Sequence, residues 1–379
     1  MSAPEQNWAW LGLLKWSLTH VDGTIPSEES PGYRAMSEED KKFLEEVMKN
    51  GIIDEGERMK TILSEMVAYL DLIPKDASSA STTGPTEERE DEIAMLLEEL
   101  QDIVEQIDFA KSFASMGGLQ FLMGATLESK YVPKAFRSSC LAILGTLCQN
   151  NPAVQLMMLE QGNIPKLYQV YFSEFPDEKQ REDTTDLRAR VVQAMSCTIR
   201  NHDVAEHIYC RNSEGIRMIE SGLGMHVPRE TLPSPSATLR RKTLFFLQAL
   251  LTSDTADRNR IHSQFGPSVQ YVAQYFLDST LESNNEIREM ALSMFNRILE
   301  QKRSVNDLLD VKSHIVRVGV GRVAELRALD GEEKEFAADE LGQWESLITG
   351  LARAVSDTVE EPLLLEGRPS NDSGDTLPQ

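Results

Sequence analysis

Cysteine is scarce in this chain of 379 residues, and its scarcity excludes one class of protein. There are only four cysteines, and they are scattered along the sequence rather than grouped in a short framework: Cys140, Cys148, Cys197 and Cys210. Small secreted domains that depend on disulfides carry many more cysteines for their size. The composition therefore favours a reducing compartment, and we expect the protein to be cytoplasmic.

Basic residues are also few. The chain holds 38 lysines and arginines against 61 aspartates and glutamates, which gives a formal net charge of -23. Binding to nucleic acid or to an anionic membrane needs Lys and Arg side chains that displace counterions. The charge therefore disfavours both kinds of partner, whereas a basic protein, or a protein with a basic patch, stays compatible with it.

We expect neither a signal peptide nor a β-sheet. Glu5 stands where a signal peptide has basic residues, and Lys15 interrupts the apolar run 8–14. Sustained alternation of apolar and polar residues is nearly absent, so strands are not predicted. The apolar fraction of 41% is that of a chain that folds. We predict an all-α protein.

Catalytic and metal-binding motifs are missing as well. Gly222-Leu-Gly224 is a fragment of a dinucleotide-binding loop without its strand and helix, and no phosphate-binding loop or nucleophile elbow occurs. Cys197, His202, His207 and Cys210 form the one Cys/His cluster, but their spacing does not put them on one helical face. We expect no enzyme activity, no cofactor and no bound metal.

Composition divides the chain into five segments. Residues 1–74 predict an N-terminal helical segment that is partly flexible, and residues 75–90, rich in Ser and Thr, predict a disordered linker. A strong helical pattern begins at Glu87 and continues to Phe113. Residues 91–303 are predicted to form a repeat domain, residues 304–357 to form helices that cap it, and residues 358–379 to form a disordered tail.

An internal repeat runs through the central domain. Four segments restart after a glycine at intervals of about 50 residues, close to the period of armadillo and HEAT repeats with added loops. The restarts are at Gly117, Gly162, Gly215 and Gly266. We predict an armadillo-like solenoid of about four repeats.

The last helix of each unit aligns when four residues share one reference column: Thr146, Cys197, Ala249 and Arg297. The columns two and three positions earlier, and two later, are almost entirely apolar and predict the face that stacks on neighbouring repeats. The columns one position earlier and three later are largely polar and fall on one helical face. This stripe predicts a concave binding wall, although a solvated helix face is the simpler interpretation. Its candidate partner-binding residues are Gln149, Asn150, Ser196, Arg200, Gln248, Asn296 and Arg297.

Short sequence stretches in these helices resemble those of a known family. The stretches 144–155 (LGTLCQNNPAVQ), 194–197 (AMSC) and 246–251 (FLQALL) stand at the ends of successive repeats. They are similar to the core of the heat-shock-protein-binding protein and Fes family, which are armadillo-type nucleotide-exchange factors. Upstream segments, including 13–18 and 117–119, also resemble the family, so the resemblance extends from about Leu11 to Leu299.

This resemblance implies a function without bond-making. Family members embrace the nucleotide-binding domain of a 70-kDa heat-shock chaperone, open its cleft and release ADP, and we expect this chain to do so as a monomer. The resemblance further implies that the N-terminal segment helps to release client protein. The apolar residues that fit such a peptide mimic are Trp10, Leu14, Trp16 and Leu18. A helix docked on the first repeat fits the same segment equally well.

The main alternative is an armadillo peptide receptor or scaffold without exchange activity. Receptors of the importin or catenin kind hold an extended peptide with a column of Asn side chains accompanied by Trp. The reference column here holds Thr, Cys, Ala and Arg, and no Trp occurs between Trp16 and Trp344. The sequence therefore favours a folded partner surface over an extended peptide.

Overall fold

The computed structural model describes residues 42, 54–74, 84–173, 185–225, 235–254, 258–301 and 305–360. Within these ranges the ordered elements are all helices, so the predicted all-α class is confirmed. None of the described helices is long and apolar enough to cross a membrane. The chain divides into two units, residues 1–68 and residues 69–379. In the first unit, the side chains of Met59, Ile62 and Met66 are buried.

The helices are numbered here in chain order over the described residues. They are α1 (Glu55–Asp71), α2 (Glu87–Ile103), α3 (Ile107–Ser115), α4 (Gly118–Leu127), α5 (Lys134–Cys148), α6 (Pro152–Glu160), α7 (Asn163–Ser173), α8 (Thr185–Ile199), α9 (Asp203–Arg211), α10 (Ser213–Leu223), α11 (Ala237–Leu251), α12 (Arg258–Tyr275), α13 (Asn285–Glu300), α14 (Val305–Arg327), α15 (Glu332–Phe336) and α16 (Ala338–Glu360).

Side-chain caps fix where many of these helices begin. Asn151 accepts a hydrogen bond from the backbone N–H of Val154 at the start of α6, and the ring Nδ1 of His202 accepts one from Ala205 at the start of α9. Ser236 and Asn284 cap α11 and α13 in the same way. Each cap satisfies a backbone donor that the first helical turn leaves unpaired. Polar residues between apolar stretches therefore set the boundaries of the repeats.

The second unit is built as parallel rows of helices. The last helices of successive repeats pack side by side in one row, which we name the ladder: α2, α5, α8, α11, α13 and α16. Behind it lies a row of α4, α7, α10, α12 and α14, and a shorter row of α3, α6 and α9 completes the first three repeats. A helical-repeat architecture was predicted from the sequence and is confirmed. The helix α14 packs on α12, and α16 packs on α13, so each of these two rows is extended by one more helix.

The predicted apolar columns form the core between the ladder helices. The column two positions before the reference column is fully buried, and so is the column three positions before it. The members of these two columns are Leu144, Met195, Leu247, Phe295, Ile143, Ala194, Phe246 and Met294. Burying a large apolar side chain contributes about 1.5–3 kcal/mol relative to leaving it exposed. Burial of these columns therefore stabilises the stacking of each repeat on the next.

Polar side chains also join neighbouring repeats, and they do so at the carboxyl ends of ladder helices. The buried amide of Gln155 on α6 donates to the carbonyl oxygens of Cys197 and Arg200 on the next repeat, at 2.8 and 2.9 Å. Gln301 donates to the carbonyl oxygen of Thr252 at 2.9 Å. These carbonyls have no partner within their own helix, so each contact satisfies a group that the helix end leaves open.

Two glycines mark the turn between the first and second helices of a repeat. Gly117 and Gly162 have φ angles of 100° and 62°, a left-handed conformation that costs a residue with a Cβ atom free energy. The predicted restart at Gly266 is wrong, because Gly266 and Pro267 lie inside the single helix α12. Proline lacks an N–H and normally breaks a helix. Here the fully buried Phe265 beside it anchors the helix in the core.

Three further sequence predictions need correction. The helical pattern from Glu87 is interrupted after Ile103, since Gln106 has extended backbone and begins a separate helix, α3. The predicted linker 75–90 ends earlier, because Thr86 already caps α2 and residues 87–90 are helical. Helix α16 continues to Glu360, so the first residues of the predicted tail are helical too. The rest of the tail lies outside the described residues.

Candidate protein-binding face

The side of the ladder that the apolar columns leave open carries a set of polar side chains. Residues at the reference column, and at positions seven and four before it and three after it, share this side because they recur once per helical turn. We name it the ladder face. Its central residues are Arg190, Gln193 and Cys197 on α8 with Arg200 just after it, Lys242, Phe245 and Ala249 on α11 with Thr252 just after it, and Met290, Ser293, Arg297 and Glu300 on α13.

A cleft of about 370 Å³ lies on this face between α8, α11 and α13. The guanidinium carbon of Arg200 lies 4.8 Å from the centre of the Phe245 ring, and its Nε donates to the carbonyl oxygen of Ser196 at 3.3 Å. Gln248, with its amide oxygen turned toward Arg297, accepts from that guanidinium at 2.9 and 3.3 Å. The cleft therefore holds two arginines whose orientations are fixed by neighbouring groups.

A second cleft of about 470 Å³ follows between α13 and α16. Arg297 lines both clefts, and Asp339 and Glu300 line the second. The side-chain amide of Asn296 donates to the carbonyl oxygens of Leu292 and Gln343, at 3.1 and 3.0 Å. Asn296 thus ties α13 to α16 and has no free donor to offer a ligand.

The structure brings some of the seven candidate residues together and separates others. Arg200, Gln248 and Arg297 line one cleft. Ser196 and Gln248 are only 3% and 8% exposed, so most of this column lies between neighbouring ladder helices rather than on an open wall. Gln149 and Asn150 are exposed beyond the end of α5, where Asn150 has a φ angle of 52°, and neither lines the two clefts.

Of the residues of this face, Arg200 and Arg297 were among the sequence candidates and the others were not; three of the others are Arg190, Lys242 and Phe245. They stand seven or four positions before the reference column, so the helical period that selected Arg200 would also have selected them. Burial lowers the pKa of Lys242 from its ordinary value, and the positive charges of Arg190 and Arg241 lower it further. Arg190 and Lys242 occupy equivalent positions, seven residues before the reference column, on the adjacent helices α8 and α11.

Four cations of the face have no carboxylate partner among the described residues. Arg240, Arg322 and Arg327 each pair with a carboxylate, whereas no ion pair joins Arg190, Arg200, Lys242 or Arg297 to a carboxylate of the described residues. Asp203 and Asp254 line the same cleft as Arg200 and Arg297, so that cleft presents charges of both signs, whereas Arg190 and Lys242 lie outside it. The unpaired cations of the face can interact with anionic groups of a partner.

The thiols of the four cysteines are buried in the core. Burial raises the pKa of Cys148 to about 12, and burial likewise raises the pKa of Cys197 although Arg200 opposes it. A thiol with a raised pKa is a weak nucleophile. Over the ranges that the structure describes, no group of three or more His, Cys, Asp or Glu side chains is placed to hold a metal ion.

The N-terminal candidates Trp10, Leu14, Trp16 and Leu18 lie outside the described residues. The sequence around them nevertheless carries the most direct comparison. Residues 11–113 match the family model of the nucleotide exchange factor Fes1. The resemblance to the Fes family is confirmed. The matched segment ends at Phe113 in α3, at the beginning of the first complete repeat.

Curated relatives extend the similarity into the repeats. The chain is 25% identical over 252 residues to Hsp70-binding protein 1 of Macaca fascicularis, covering 66% of this chain and 62% of that protein. It is 26% identical over 240 residues to Hsp70-binding protein 1 of Homo sapiens, covering 63% and 59%. The chain thus matches about three fifths of the length of these relatives.

Solved structures with related backbones include a designed armadillo repeat protein. It covers 71% of this chain and 96% of its own, with a TM-score of 0.47 and 10% sequence identity. An engineered protein has the same TM-score with 12% identity, covering 76% and 97%.

Proposed function

We propose that this protein is a nucleotide exchange factor that binds the nucleotide-binding domain of a 70-kDa heat-shock chaperone and speeds the release of ADP. The observation that carries the proposal is the Fes1 match at residues 11–113, in a chain whose relatives are named for binding Hsp70. The ladder face is the surface that we assign to the chaperone, because it combines a cleft, exposed cations and a ring.

The proposed mechanism uses binding energy alone. A rigid row of helices that binds the open nucleotide cleft better than the closed one shifts the chaperone toward the open state and so weakens its hold on ADP. By linkage, nucleotide must weaken the complex by the same factor. ATP is therefore expected to dissociate the exchange factor from the chaperone, and this makes the cycle reversible.

The test is a stopped-flow measurement of labelled ADP leaving the chaperone. We expect the release rate to rise with the concentration of this protein and to reach a plateau as the complex saturates. A release rate that does not change under a several-fold excess would overturn the proposal. Binding without faster release would instead identify a scaffold.

We further propose that the segment containing Trp10, Leu14, Trp16 and Leu18 assists client release. Support comes from the family match, which begins at Leu11 and so includes Leu14, Trp16 and Leu18, and from the short apolar character of the segment. Replacing Leu14 and Leu18 by Asp should slow displacement of a fluorescent peptide from the chaperone while ADP release stays fast. If peptide displacement is unchanged, the segment has another role.

The peptide-receptor alternative finds less support on the ladder face. Such receptors need free Asn side chains to bond the backbone of an extended peptide. The amide of Asn296 is already used between α13 and α16. The reference column holds Thr146, Cys197, Ala249 and Arg297 instead. A folded partner that meets the whole face fits these side chains better.

A further inference from the structure

The start of the ladder helices α8 and α11 carries a pair of cations that the cleft between α8, α11 and α13 does not include. Arg190 is exposed, and the one polar contact of its guanidinium within the described residues is to the side-chain oxygen of Gln193, at 3.4 Å. Lys242 is half-buried at the equivalent position of α11, the helix that packs beside α8, so the two cations occupy neighbouring positions of the ladder face. We name Arg190 and Lys242 the cation pair.

An adjacent arginine has a carboxylate partner, whereas the cation pair has none among the described residues. Arg241, the residue before Lys242, forms an ion pair with Glu286 of α13. Neither member of the cation pair has a carboxylate partner in the part of the chain that the structure describes, although acidic residues outnumber basic ones by 61 to 38. Two like charges side by side repel each other, and an anionic group between them would relieve that repulsion. The pair therefore favours a ligand that carries negative charge.

Surrounding side chains indicate what kind of anion fits. Phe245 lies one turn beyond Lys242 and is 44% exposed, so an apolar surface adjoins the charges. A nucleic acid would have to bring its phosphates against a chain of net charge -23, where only a small patch attracts them. A folded protein can present a few carboxylates next to apolar side chains and keep its other charges away.

We propose that the cation pair of Arg190 and Lys242 is a docking point for an acidic surface element of the partner, whose carboxylates lie between the two side chains while apolar atoms pack on Phe245. This inference rests on the proposed function, since the partner is taken to be the 70-kDa chaperone, and it adds the chemistry of the contact. Both residues belong to the ladder face but lie outside its two clefts.

The expected effects follow from the exposure of the pair. Charge pairs at the edge of an interface mainly raise the association rate and make it sensitive to salt. The double variant Arg190→Glu/Lys242→Glu should bind the isolated nucleotide-binding domain of the chaperone about tenfold more weakly at low salt. The loss of affinity should come mostly from slower association, and added salt should reduce the difference in affinity between the variant and the unchanged protein.

A matched control distinguishes a local effect of the cation pair from an effect of the net charge of the protein. Lys111→Glu/Lys130→Glu makes the same change in net charge at exposed residues of α3 and of the α4–α5 loop, away from the ladder face. We expect it to bind within about twofold of the unchanged protein, because screening over a Debye length of about 8 Å hides distant charges. Arg190→Gln/Lys242→Gln, which introduces no repulsion, should show an intermediate loss with an unchanged melting temperature.

Each outcome decides the inference. An equal loss of affinity in Arg190→Glu/Lys242→Glu and in the control would assign the effect to net charge and overturn the inference. Unchanged affinity in both variants of the cation pair, while ADP release stays fast, would also overturn it. If the unchanged protein fails to bind the chaperone, the proposed function fails, and a labelled polyglutamate peptide decides the chemistry. Binding of that peptide to the unchanged protein but not to Arg190→Glu/Lys242→Glu would support the acidic docking point, and equal signals would overturn it.

Discussion

The two clefts of the ladder face are built from similar helices but use their polar side chains differently. Between α8, α11 and α13, the neighbours Arg200 and Arg297 have no carboxylate partner among the described residues, and the joint is held by apolar columns. Between α13 and α16, Asn296 bonds the neighbouring helix, and Arg322 behind it forms a two-pronged ion pair with Glu340 at 2.8 and 2.9 Å. The first cleft leaves two cations available for a partner, although Gln301 and the ion pair of Arg241 with Glu286 also join α11 to α13, whereas the second cleft uses more of its polar groups within the chain.

If that contrast is correct, the largest stability effect belongs to the apolar core of the central joint. Phe246 is fully buried on α11, and its ring centre lies 4.9 Å from that of Tyr209. Phe246→Ala should lower the free energy of unfolding by about 3–5 kcal/mol, because it removes apolar contacts and leaves a cavity. Urea denaturation followed by circular dichroism measures it.

Phe336 provides the matched control for this change. It is 87% exposed on α15, so Phe336→Ala should alter the free energy of unfolding by less than about 0.5 kcal/mol. Similar losses in the two variants would mean that the central joint does not depend on its apolar columns in the way described.

The next effect concerns affinity rather than stability. Arg200→Glu/Arg297→Glu reverses both arginines of the central cleft and leaves the buried columns intact. We expect chaperone affinity to fall about tenfold, which corresponds to roughly 1.4 kcal/mol, while the melting temperature stays close to that of the unchanged protein. Surface plasmon resonance and a thermal melt provide the two readouts.

Reversal of cations elsewhere distinguishes the central cleft from the rest of the surface. Arg327 is already paired with Glu345 at 2.7 Å in the C-terminal rung, so Arg327→Glu should leave chaperone affinity nearly unchanged. Unchanged affinity in the Arg200 and Arg297 double variant, or an equal loss in Arg327→Glu, would move the interface away from the central cleft.

The smallest expected effect is in the C-terminal joint. Burial raises the pKa of Glu340, but the hydrogen bonds and charge of Arg322 outweigh it and hold that pKa below its ordinary value of 4.5. Glu340→Gln should cost about 1 kcal/mol of stability at neutral pH, because it replaces a charge-assisted pair by a neutral contact.

The pH dependence of that cost gives the prediction its sign. A carboxyl with a lowered folded pKa contributes stability above its unfolded pKa and loses it as the pH falls through the folded value. The difference between Glu340→Gln and the unchanged protein should therefore be constant above about pH 5 and shrink in more acidic solution. A difference that grows with acidity would contradict the assigned pairing.

Much of this fold could be predicted from the sequence, and the reason is periodicity. The columns of Ile143 and Leu144 and their equivalents repeat at helical spacing, and an apolar stripe that recurs in each unit must be covered by its neighbours. The break after Ile103 was missed because apolar residues continue through it. The helix across Gly266 and Pro267 was missed because tertiary packing overrides local preference there.

The candidate site was harder to predict for a related reason. The sequence pattern does not distinguish a polar side chain that faces solvent from one that faces a neighbouring helix. Ser196 and Gln248 lie between ladder helices, and this follows from the spacing of the rows, which one sequence does not contain. Arg190 and Lys242 share the helical phase of Arg200, but only their positions on adjacent helices show that they form a pair.

The polar contacts at the helix ends have a mechanical consequence. Gln155 on α6 forms hydrogen bonds with the last turn of α8, and Gln301 forms one with the end of α11. Successive ladder helices are therefore joined by hydrogen bonds at one end as well as by apolar packing along their length. An array fastened in this way resists changes in its twist, since any rotation of one rung must break buried hydrogen bonds with the next. We therefore expect the array to keep its form when it meets a partner that has two shapes, so that the strain of the encounter falls on the partner.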